Sequence, residues 1–380
     1  MKIKALLAVL LASCITLLGI GRTIAASDDK PLYQTDPVLA KGLNYLLANQ
    51  GKDGSWVPQP GPAVTALAVK GLLMAGYSPD FPAIVNGMKF IESFHKADGG
   101  FYDQALPTYN TAIVLSTLAI FPGHKYDDQI KMAQKFLESL QAMAPDKDNY
   151  GATITPSNSW YGGWSYGSTS ARPDLSNSSF AIEALHDSGV SCDDPVMKRA
   201  LVFVTHCQEL DTTNPLPFAK GQDDGGFIYT PAMGGESSFG DVDHLTGPST
   251  LTSYGSMTYA GFKSMIYAGL TANDPRVAAA LDWIRSHWTL ESNPGSGDSK
   301  SGLFYYYLMF TRALVAFGQP EIVDDQGTVH DWRSEMQGQL GVLQQPDGSW
   351  VNKWSDRWLE STPQLVTCYC CIILDLTDRQ

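Results

Sequence analysis

Apolar residues recur at helical spacing near the start of the chain and are followed by a turn. Leu39, Leu43 and Leu46 fall on one face of a helix, at steps of four and three residues. The segment 42–56 then ends in Gly-Lys-Asp-Gly-Ser-Trp, in which glycine permits a tight reversal and tryptophan can fill the joint. The pattern predicts an amphipathic helix followed by a Gly-x-aromatic turn.

The same helix-and-turn unit recurs six times along the chain. Residues 336–350 end in Leu-Gln-Gln-Pro-Asp-Gly-Ser-Trp and keep the leucine and glutamine spacing of the first copy. Four further copies lie between these two, and the aromatic residues that end the six turns are Trp56, Phe101, Trp164, Phe227, Phe304 and Trp350. Such repetition is typical of folds in which each unit packs on its neighbours.

A second segment follows each turn and is apolar on nearly every side. Such a helix belongs in the interior, whereas a half-apolar helix belongs outside it. These inner segments are residues 63–75, 111–120, 179–185, 254–268, 305–316 and 363–376. Six outer and six inner helices predict an all-α domain of two concentric rings over residues 37–380, after a linker at 27–36.

The repeats resemble those of squalene–hopene cyclases and protein prenyltransferase β-subunits, the prenyltransferase and squalene-oxidase repeat family. The resemblance covers residues 37–376, and 42–56 and 344–350 are close to the family's Gln–Trp motif. It implies a single (α/α)6 toroid of the terpenoid cyclase superfamily, with a central aromatic-lined cavity that opens where the inner helices begin. Activity has to be argued separately, from the residues of the site.

The catalytic acid of the cyclases has one incomplete counterpart here. In the family, the middle aspartate of Asp-x-Asp-Asp protonates an alkene, and the nearest match is Asp241-Val242-Asp243-His244. His244 replaces the last carboxylate and glycines flank the segment, which favours a solvated loop over a buried acid. Asp241, Asp243 and His244 are the candidate catalytic residues of a divergent cyclase, with Asp243 as the acid.

Zinc and glycosidase chemistry have weaker support. The resemblance to prenyltransferases implies zinc ligands in an Asp-x-Cys pair and a histidine, but Val366 occupies the position of that histidine. We therefore expect no metal ion or other cofactor. A glycosidase needs two carboxylates across a cleft, but Asp98 and Asp224 fit the aspartates of the repeat's own Asp-Gly turns.

Aromatic and polar residues near the starts of the inner segments are the candidate ligand contacts. They could line a pocket, or they could pack the hairpins and cap the helices. These candidates are Tyr254, Thr258, Tyr306, Asn110, Ser178 and Gln364. The segment 350–358, with three tryptophans and Arg357, could form an aromatic surface platform. Because the catalytic motifs are missing, we favour a protein that binds an apolar isoprenoid or other lipid, a glycan or a protein partner over a divergent cyclase.

Composition limits the partners and predicts export. The net charge of −13 argues against binding nucleic acid. Residues 1–26 contain Lys2 and Lys4, an apolar run and a small-residue end, as in a cleaved secretory signal peptide. Lipidation at Cys14 is the alternative. No later stretch is long and apolar enough to cross a membrane, so we expect a periplasmic or extracellular protein.

Export would place the remaining cysteines in an oxidising compartment. Cys192 and Cys207 could form a disulfide if their geometry allows it. Cys368, Cys370 and Cys371 lie inside the last apolar segment, so we expect them to be buried rather than redox-active.

Overall fold

The computed structural model describes residues 34–168, 171–242 and 250–378, and these ranges are mainly helical. Their twelve α-helices are α1 Pro37–Ala48, α2 Ala63–Met74, α3 Pro82–Glu92, α4 Pro107–Leu118, α5 Asp127–Ser139, α6 Leu175–Asp187, α7 Pro195–His206, α8 Gly255–Tyr267, α9 Pro275–Ser286, α10 Leu303–Phe317, α11 Trp332–Leu343 and α12 Pro363–Asp378. Two short antiparallel pairs join β1 Asp241–Val242 to β2 Thr250–Leu251, and β3 Ile322–Val323 to β4 Val329–His330. Within these ranges no helix is long and apolar enough to span a bilayer. The predicted signal peptide at 1–26 lies outside the described residues.

Even-numbered helices are buried and odd-numbered helices are half-buried. Every residue from Ala63 to Leu73 of α2 is buried, whereas α5 buries only Ala133, Phe136 and Leu137. We call the even-numbered set the inner helices, and each predicted inner segment overlaps one of them. Two inner helices, α4 and α6, begin four residues earlier than predicted, because a proline opens α4 and an aspartate caps α6.

The inner helices pack against one another in cyclic order. Contacts run from α2 through α4, α6, α8 and α10 to α12, and α12 packs against α2. The outer helices, which are the odd-numbered ones, pack on this set. At the end of α11, Gln344 Nε2 donates to the Val38 carbonyl of α1 at 2.8 Å, which links the last repeat to the first.

A hydroxyl holds each of the five common turns in place, and a glutamine also holds four of them. Gln50 donates from Nε2 to the Gly54 carbonyl of its own turn and to the Ala83 carbonyl of the next outer helix. The same pair of bonds is made by Gln141, Gln208 and Gln344. In five repeats a hydroxyl on the inner helix accepts from the N–H of the turn aromatic; these residues are Thr65, Thr111, Ser178, Thr258 and Thr367. Each turn is thus bonded to the inner helix that follows it, and most are also bonded to the next outer helix.

The fifth repeat departs from the prediction. The sequence predicts that Phe304 ends a turn, but this residue lies inside α10. The prediction is wrong because α10 starts immediately after the glycine of the motif, which leaves no turn between them. Tyr306 and Tyr307 of α10 instead donate to the carbonyls of Thr289 and Leu290 and so anchor the preceding connection.

The described cysteines are free thiols. Cys192 is exposed and Cys207 is buried, so the disulfide considered between them is not formed. Cys368, Cys370 and Cys371 are buried in α12, as expected. Burial raises the pKa of each of these three thiols well above its ordinary value.

Candidate functional site

The connections between helices are longer at one end of the molecule. Outer helices are joined to inner ones by residues 49–62, 93–106, 140–174, 207–254, 287–302 and 344–362. The return connections are 75–81, 119–126, 188–194, 268–274 and 318–331. We call the end with the longer set, at the N-termini of the inner helices, the long-loop face. Insertions in repeat proteins collect on the face that binds, which makes this face the candidate site.

Backbone strain concentrates on the same face. In the part of the chain that the structure describes, all non-glycine residues with positive φ lie in the longer connections. They are Val57, Leu106, Met233, Lys300, Trp358 and Leu359. A residue with a Cβ in this region is strained by about 1–3 kcal/mol, and such residues cluster at functional sites. The strained residues and the longer connections therefore lie on the same face.

Partly exposed tyrosines gather on the long-loop face. The hydroxyls of Tyr166 and Tyr229 are 3.3 Å apart, although the two residues come from different connections. The hydroxyl of Tyr305 on α10 lies 2.8 Å from that of Ser176 on α6. Tyr109 of α4 joins this group through Phe180, which contacts the rings of both Tyr109 and Tyr305. We call this surface the tyrosine mouth, and it comprises Tyr109, Tyr166, Ser176, Tyr229 and Tyr305.

A buried carboxylate supports the mouth. Asp174 caps α6 by accepting from the backbone N–H of Asn177 at 2.8 Å. Burial raises the pKa of Asp174 to about 6, against the effect of hydrogen bonds from Asn177 and Tyr229. Since the side chain of Asp174 is buried, it is linked to the mouth through the hydroxyl of Tyr229 that it binds.

The centre of the inner helices is filled. The described residues leave a cavity of about 10 Å³ there, and its lining includes Lys70, Ser116, Phe180, Glu183 and Arg312. That volume is close to what one water molecule needs, whereas ligand sites usually have about 300–1,000 Å³. The space among these side chains is therefore far smaller than the implied aromatic-lined central cavity, and polar side chains form much of its lining.

The four polar residues of this lining and Lys263 form a buried cluster. Glu183 lies between two cations, with Lys263 Nζ at 2.5 Å from its Oε2 and Arg312 paired to its Oε1. Lys70 Nζ lies 2.5 Å from the hydroxyl of Ser116. We call the residues Lys70, Ser116, Glu183, Lys263 and Arg312, each from a different inner helix, the charge cluster. Ion pairs and hydrogen bonds thus link the inner helices at the centre, in addition to their apolar and aromatic contacts.

A second carboxylate extends the cluster along α6. Asp187 Oδ2 lies 3.5 Å from Lys70 Nζ and 2.7 Å from the Ser116 hydroxyl. Burial lowers the pKa of Lys70 to about 8, in part offset by the charge of Asp187. Lys70 is therefore mostly a cation at neutral pH.

The residues predicted as ligand contacts lie near the starts of the inner helices, and many of their polar groups hold the fold. The hydroxyls of Ser178 and Thr258 bind the turn amides described above. Asn110 Oδ1 accepts at 3.1 Å from the first N–H of α2, which is that of Ala63. These three residues are buried and belong to helix starts and turns.

The other predicted residues differ in exposure. Tyr254 is buried and donates to the Ser238 hydroxyl at 2.9 Å. Tyr306 is buried, and its hydroxyl donates to the Thr289 carbonyl. Gln364 is half-buried at the start of α12. None of the six belongs to the tyrosine mouth, which sequence reasoning missed.

The candidate acid of a cyclase is not located relative to the site. Asp241 belongs to β1, whereas Asp243 and His244 lie outside the described residues. Their proposed chemistry stays a prediction.

Two carboxyl groups on the long-loop face lie beside one hydroxyl. Ser253 Oγ lies 2.7 Å from Glu209 Oε2 and 3.2 Å from Asp224 Oδ1. A hydroxyl has one proton, so Ser253 cannot donate fully to both carboxyls at once. Asp224 also accepts from the Gly226 amide, as predicted for the repeat turn. Burial, with the nearby charge of Asp224, raises the pKa of Glu209 to about 8, so Glu209 is mostly protonated at neutral pH.

Stability should fall as this proton is lost. The folded state keeps the proton on Glu209, whereas the unfolded state releases it near pH 4.5. The free energy of unfolding should therefore decrease from about pH 4.5 to about pH 8. Glutamine cannot ionise, so Glu209→Gln should flatten this decrease and raise the Tm at the alkaline end.

Urea unfolding across this pH window measures the effect. Glu138→Gln, at a surface position, is the matched control. Loss of this carboxylate should leave the slope of the free energy of unfolding against pH unchanged. Equal slopes for the Glu209→Gln variant and the unsubstituted chain would contradict the raised pKa of Glu209.

Comparison with known proteins identifies the fold class. No protein-family model matches the chain, and no curated protein matches it. The structure is similar to type II terpene cyclase MstE from Scytonema, with a TM-score of 0.53 at 14% identity over 92% of this chain and 98% of the other. It is also similar to an inactive variant of an alpha-1,6-mannanase of Salegentibacter sp. in complex with alpha-1,6-mannotriose, with a TM-score of 0.55 at 10% identity over 90% of this chain and 98% of the other. Both are α/α toroids, so the likeness supports that fold, and at these identities it supports the fold alone.

Proposed function

We propose that this chain is an exported, non-catalytic toroid of six helical hairpins that binds a carbohydrate at the tyrosine mouth. The cyclic packing of the inner helices and the bond from Gln344 to Val38 support six hairpins of the prenyltransferase and squalene-oxidase repeat type. The leader pattern of residues 1–26 supports export by a cleaved signal peptide, with lipidation at Cys14 as the alternative.

The filled centre argues against an isoprenoid bound there. A cavity of about 10 Å³ has no room for a polyprenyl chain. The cations Lys70, Lys263 and Arg312 would also raise the energy of a carbocation formed among them. A ligand is therefore better placed outside the centre, on the long-loop face.

The tyrosine mouth carries the proposal for a carbohydrate. It presents partly exposed aromatic rings together with hydroxyl groups, such as those of Tyr166 and Tyr305. A sugar ring can place its C–H face on an aromatic ring and bond its hydroxyls to polar groups around it. These hydroxyls already bond one another, but each keeps an acceptor lone pair that a sugar hydroxyl can use and an isoprenoid cannot.

The fold itself allows either ligand. A structure of the terpene cyclase MstE that holds geranylgeranyl dihydroxybenzoate has a TM-score of 0.51 and 15% identity to this chain, over 91% of this chain and 98% of the other. The mannanase variant holds a mannotriose. Because toroids accept both, the choice rests on the side chains of the mouth.

Calorimetric titration with a ligand panel tests the proposal. The panel contains alpha-1,6-mannotriose, cellohexaose and chitohexaose as sugars and geranylgeraniol as the isoprenoid. We expect at least one sugar to bind, and we expect Tyr166→Ala or Tyr305→Ala to weaken it about tenfold, through loss of a ring contact and a hydrogen bond.

Tyr150→Ala is the matched control, because Tyr150 is 73% exposed and lies outside the mouth. Binding of geranylgeraniol with no sugar bound would overturn the ligand class. A sugar affinity that falls equally in the control would overturn the position of the site.

A further inference from the structure

One long connection keeps three large apolar side chains in solvent. Trp354, Trp358 and Leu359, between α11 and α12, are 51%, 39% and 55% exposed. Trp358 and Leu359 also have positive φ values of 57° and 63°. Both conditions are unfavourable for a folded chain in water, since apolar exposure and a left-handed backbone each cost free energy. A partner that covers these side chains would offset the exposure.

The strained connection is anchored by hydrogen bonds. Asn352 Oδ1 accepts from the backbone N–H groups of Trp354 at 3.0 Å and Ser355 at 3.1 Å. Arg357 donates to the Ser238 carbonyl at 2.9 Å, which ties the connection to a neighbouring one. The apolar side chains are therefore presented from a fixed backbone.

Cations accompany these apolar side chains. Lys300 Nζ lies 4.4 Å from the ring centroid of Trp354, and Arg357 Cζ lies 4.3 Å from that of Trp358. The segment 353–359 has two basic residues and one acidic residue. In a chain with a net charge of −13, this surface is locally positive. It therefore complements an anionic partner that the rest of the molecule would repel.

The packing of Trp358 distinguishes between anionic partners. Stacking on a sugar needs an open ring face, but Arg357 covers the ring of Trp358 and Gly302 lies against it, so that an added Cβ would be 2.4 Å from the ring. Phe239 meets the same ring at 85°, with centroids 5.9 Å apart. Tryptophan beside basic residues, with an exposed leucine, is typical of side chains at the interface of a lipid bilayer.

We propose that residues 353–359, together with Lys300, dock the protein onto the surface of an anionic lipid bilayer. The side chains of Trp354, Trp358 and Leu359 enter the headgroup region, and Lys300 and Arg357 meet lipid phosphates. The association is peripheral and reversible, because three side chains bury little apolar area. It does not depend on which ligand the tyrosine mouth binds.

Vesicle cosedimentation with the purified chain tests this docking. The vesicles contain phosphatidylcholine alone, or with about one third phosphatidylglycerol to supply negative charge. We expect binding to the anionic vesicles, weakened by added salt because the attraction is partly electrostatic. The double variant Trp354→Ser with Leu359→Asn should bind about tenfold more weakly, since it removes two apolar contacts.

This double variant is designed to stay folded. It leaves the packed ring of Trp358 in place, and asparagine at position 359 tolerates the positive φ. Val342→Ser on α11 is the matched control, because Val342 is 82% exposed and lies on an outer helix. The control should bind vesicles like the unsubstituted chain, and thermal unfolding should show both variants folded.

Three results would overturn the proposal. The first is that the unsubstituted chain binds neither vesicle, and the second is that the double variant binds anionic vesicles equally well. The third is binding of a soluble acidic polysaccharide, such as polygalacturonate, that the double variant loses while vesicles remain unbound. Because the variant leaves the mouth intact, sugar titration separates failure of docking from failure of the proposed function.

Discussion

Gly162→Ala should destabilise the protein far more than Gly189→Ala. Both glycines have positive φ, +82° and +90°, so alanine is strained by about 1–2 kcal/mol at either position. At Gly162 an added Cβ would also lie 1.9 Å from the Arg199 carbonyl oxygen of α7, whereas nothing lies within 4 Å of Gly189. Because a backbone carbonyl cannot turn aside without moving its helix, the Gly162 variant should lose more than about 3 kcal/mol.

The difference between the two variants in urea unfolding is the informative quantity. It separates the close approach of backbones from the demand for a left-handed conformation. Equal losses would mean that the turn glycines serve conformation alone. The effect should extend to other turns, because an added Cβ would meet a carbonyl of the next outer helix at Gly54, Gly99, Gly225 and Gly348 as well.

Glu183→Ala should be comparably damaging for an electrostatic reason. The side chain of Glu183 is only 4% exposed, and its two cationic partners are buried as well. Removing this carboxylate therefore leaves Lys263 and Arg312 buried without their partner. Breaking a buried ion pair from one side typically costs about 3–5 kcal/mol, since the remaining charge stays desolvated. Loss of the exposed carboxylate in Glu138→Ala, next to Arg199, should cost about 1 kcal/mol or less.

A triple variant makes this prediction sharper. Glu183→Leu, Lys263→Met and Arg312→Met together remove every charge of the trio and replace it with apolar volume. Stability should recover most of what Glu183→Ala loses, because a buried ion network is rarely better than good apolar packing. Denaturant midpoints measure both variants, and a triple variant as unstable as Glu183→Ala would show that the charges are required as such.

The sequence predicts the helices well because burial imposes a period on it. The all-round apolar segment that begins at Ala63 and the Leu39–Leu43–Leu46 stripe lie where their patterns indicate. The turn prediction fails at Phe304, where glycine precedes a helix directly. A motif of three residues does not distinguish a turn after a helix from the start of the next one.

The centre was harder to predict, although the sequence holds a signal. The resemblance to cyclases implies an aromatic-lined cavity because it reports backbone architecture, not side chains. Lys70, Glu183 and Lys263 each lie five residues after a turn-binding hydroxyl, inside segments that are otherwise apolar. Charges at one register on successive buried helices have to meet one another or be neutralised.

The tyrosine mouth leaves only a weak local signal. Tyr166 and Tyr305 belong to aromatic clusters near the starts of inner segments, but nothing in either cluster relates it to the other. Tyr166 and Tyr229 are 63 residues apart, and Ser176 and Tyr305 are 129 residues apart. Only the packing order of the helices brings their hydroxyls to one surface, so no spacing rule within a repeat could have found them.

The bond from Gln344 to Val38 has a consequence for biosynthesis. The two residues are 306 positions apart in the sequence. The side of α1 that binds Gln344 therefore has no partner until nearly the whole chain has been synthesised. Contacts of such long range form late and slow the completion of the fold. A chain that completes its fold late can still pass unfolded through a membrane pore, which is consistent with the export proposed above.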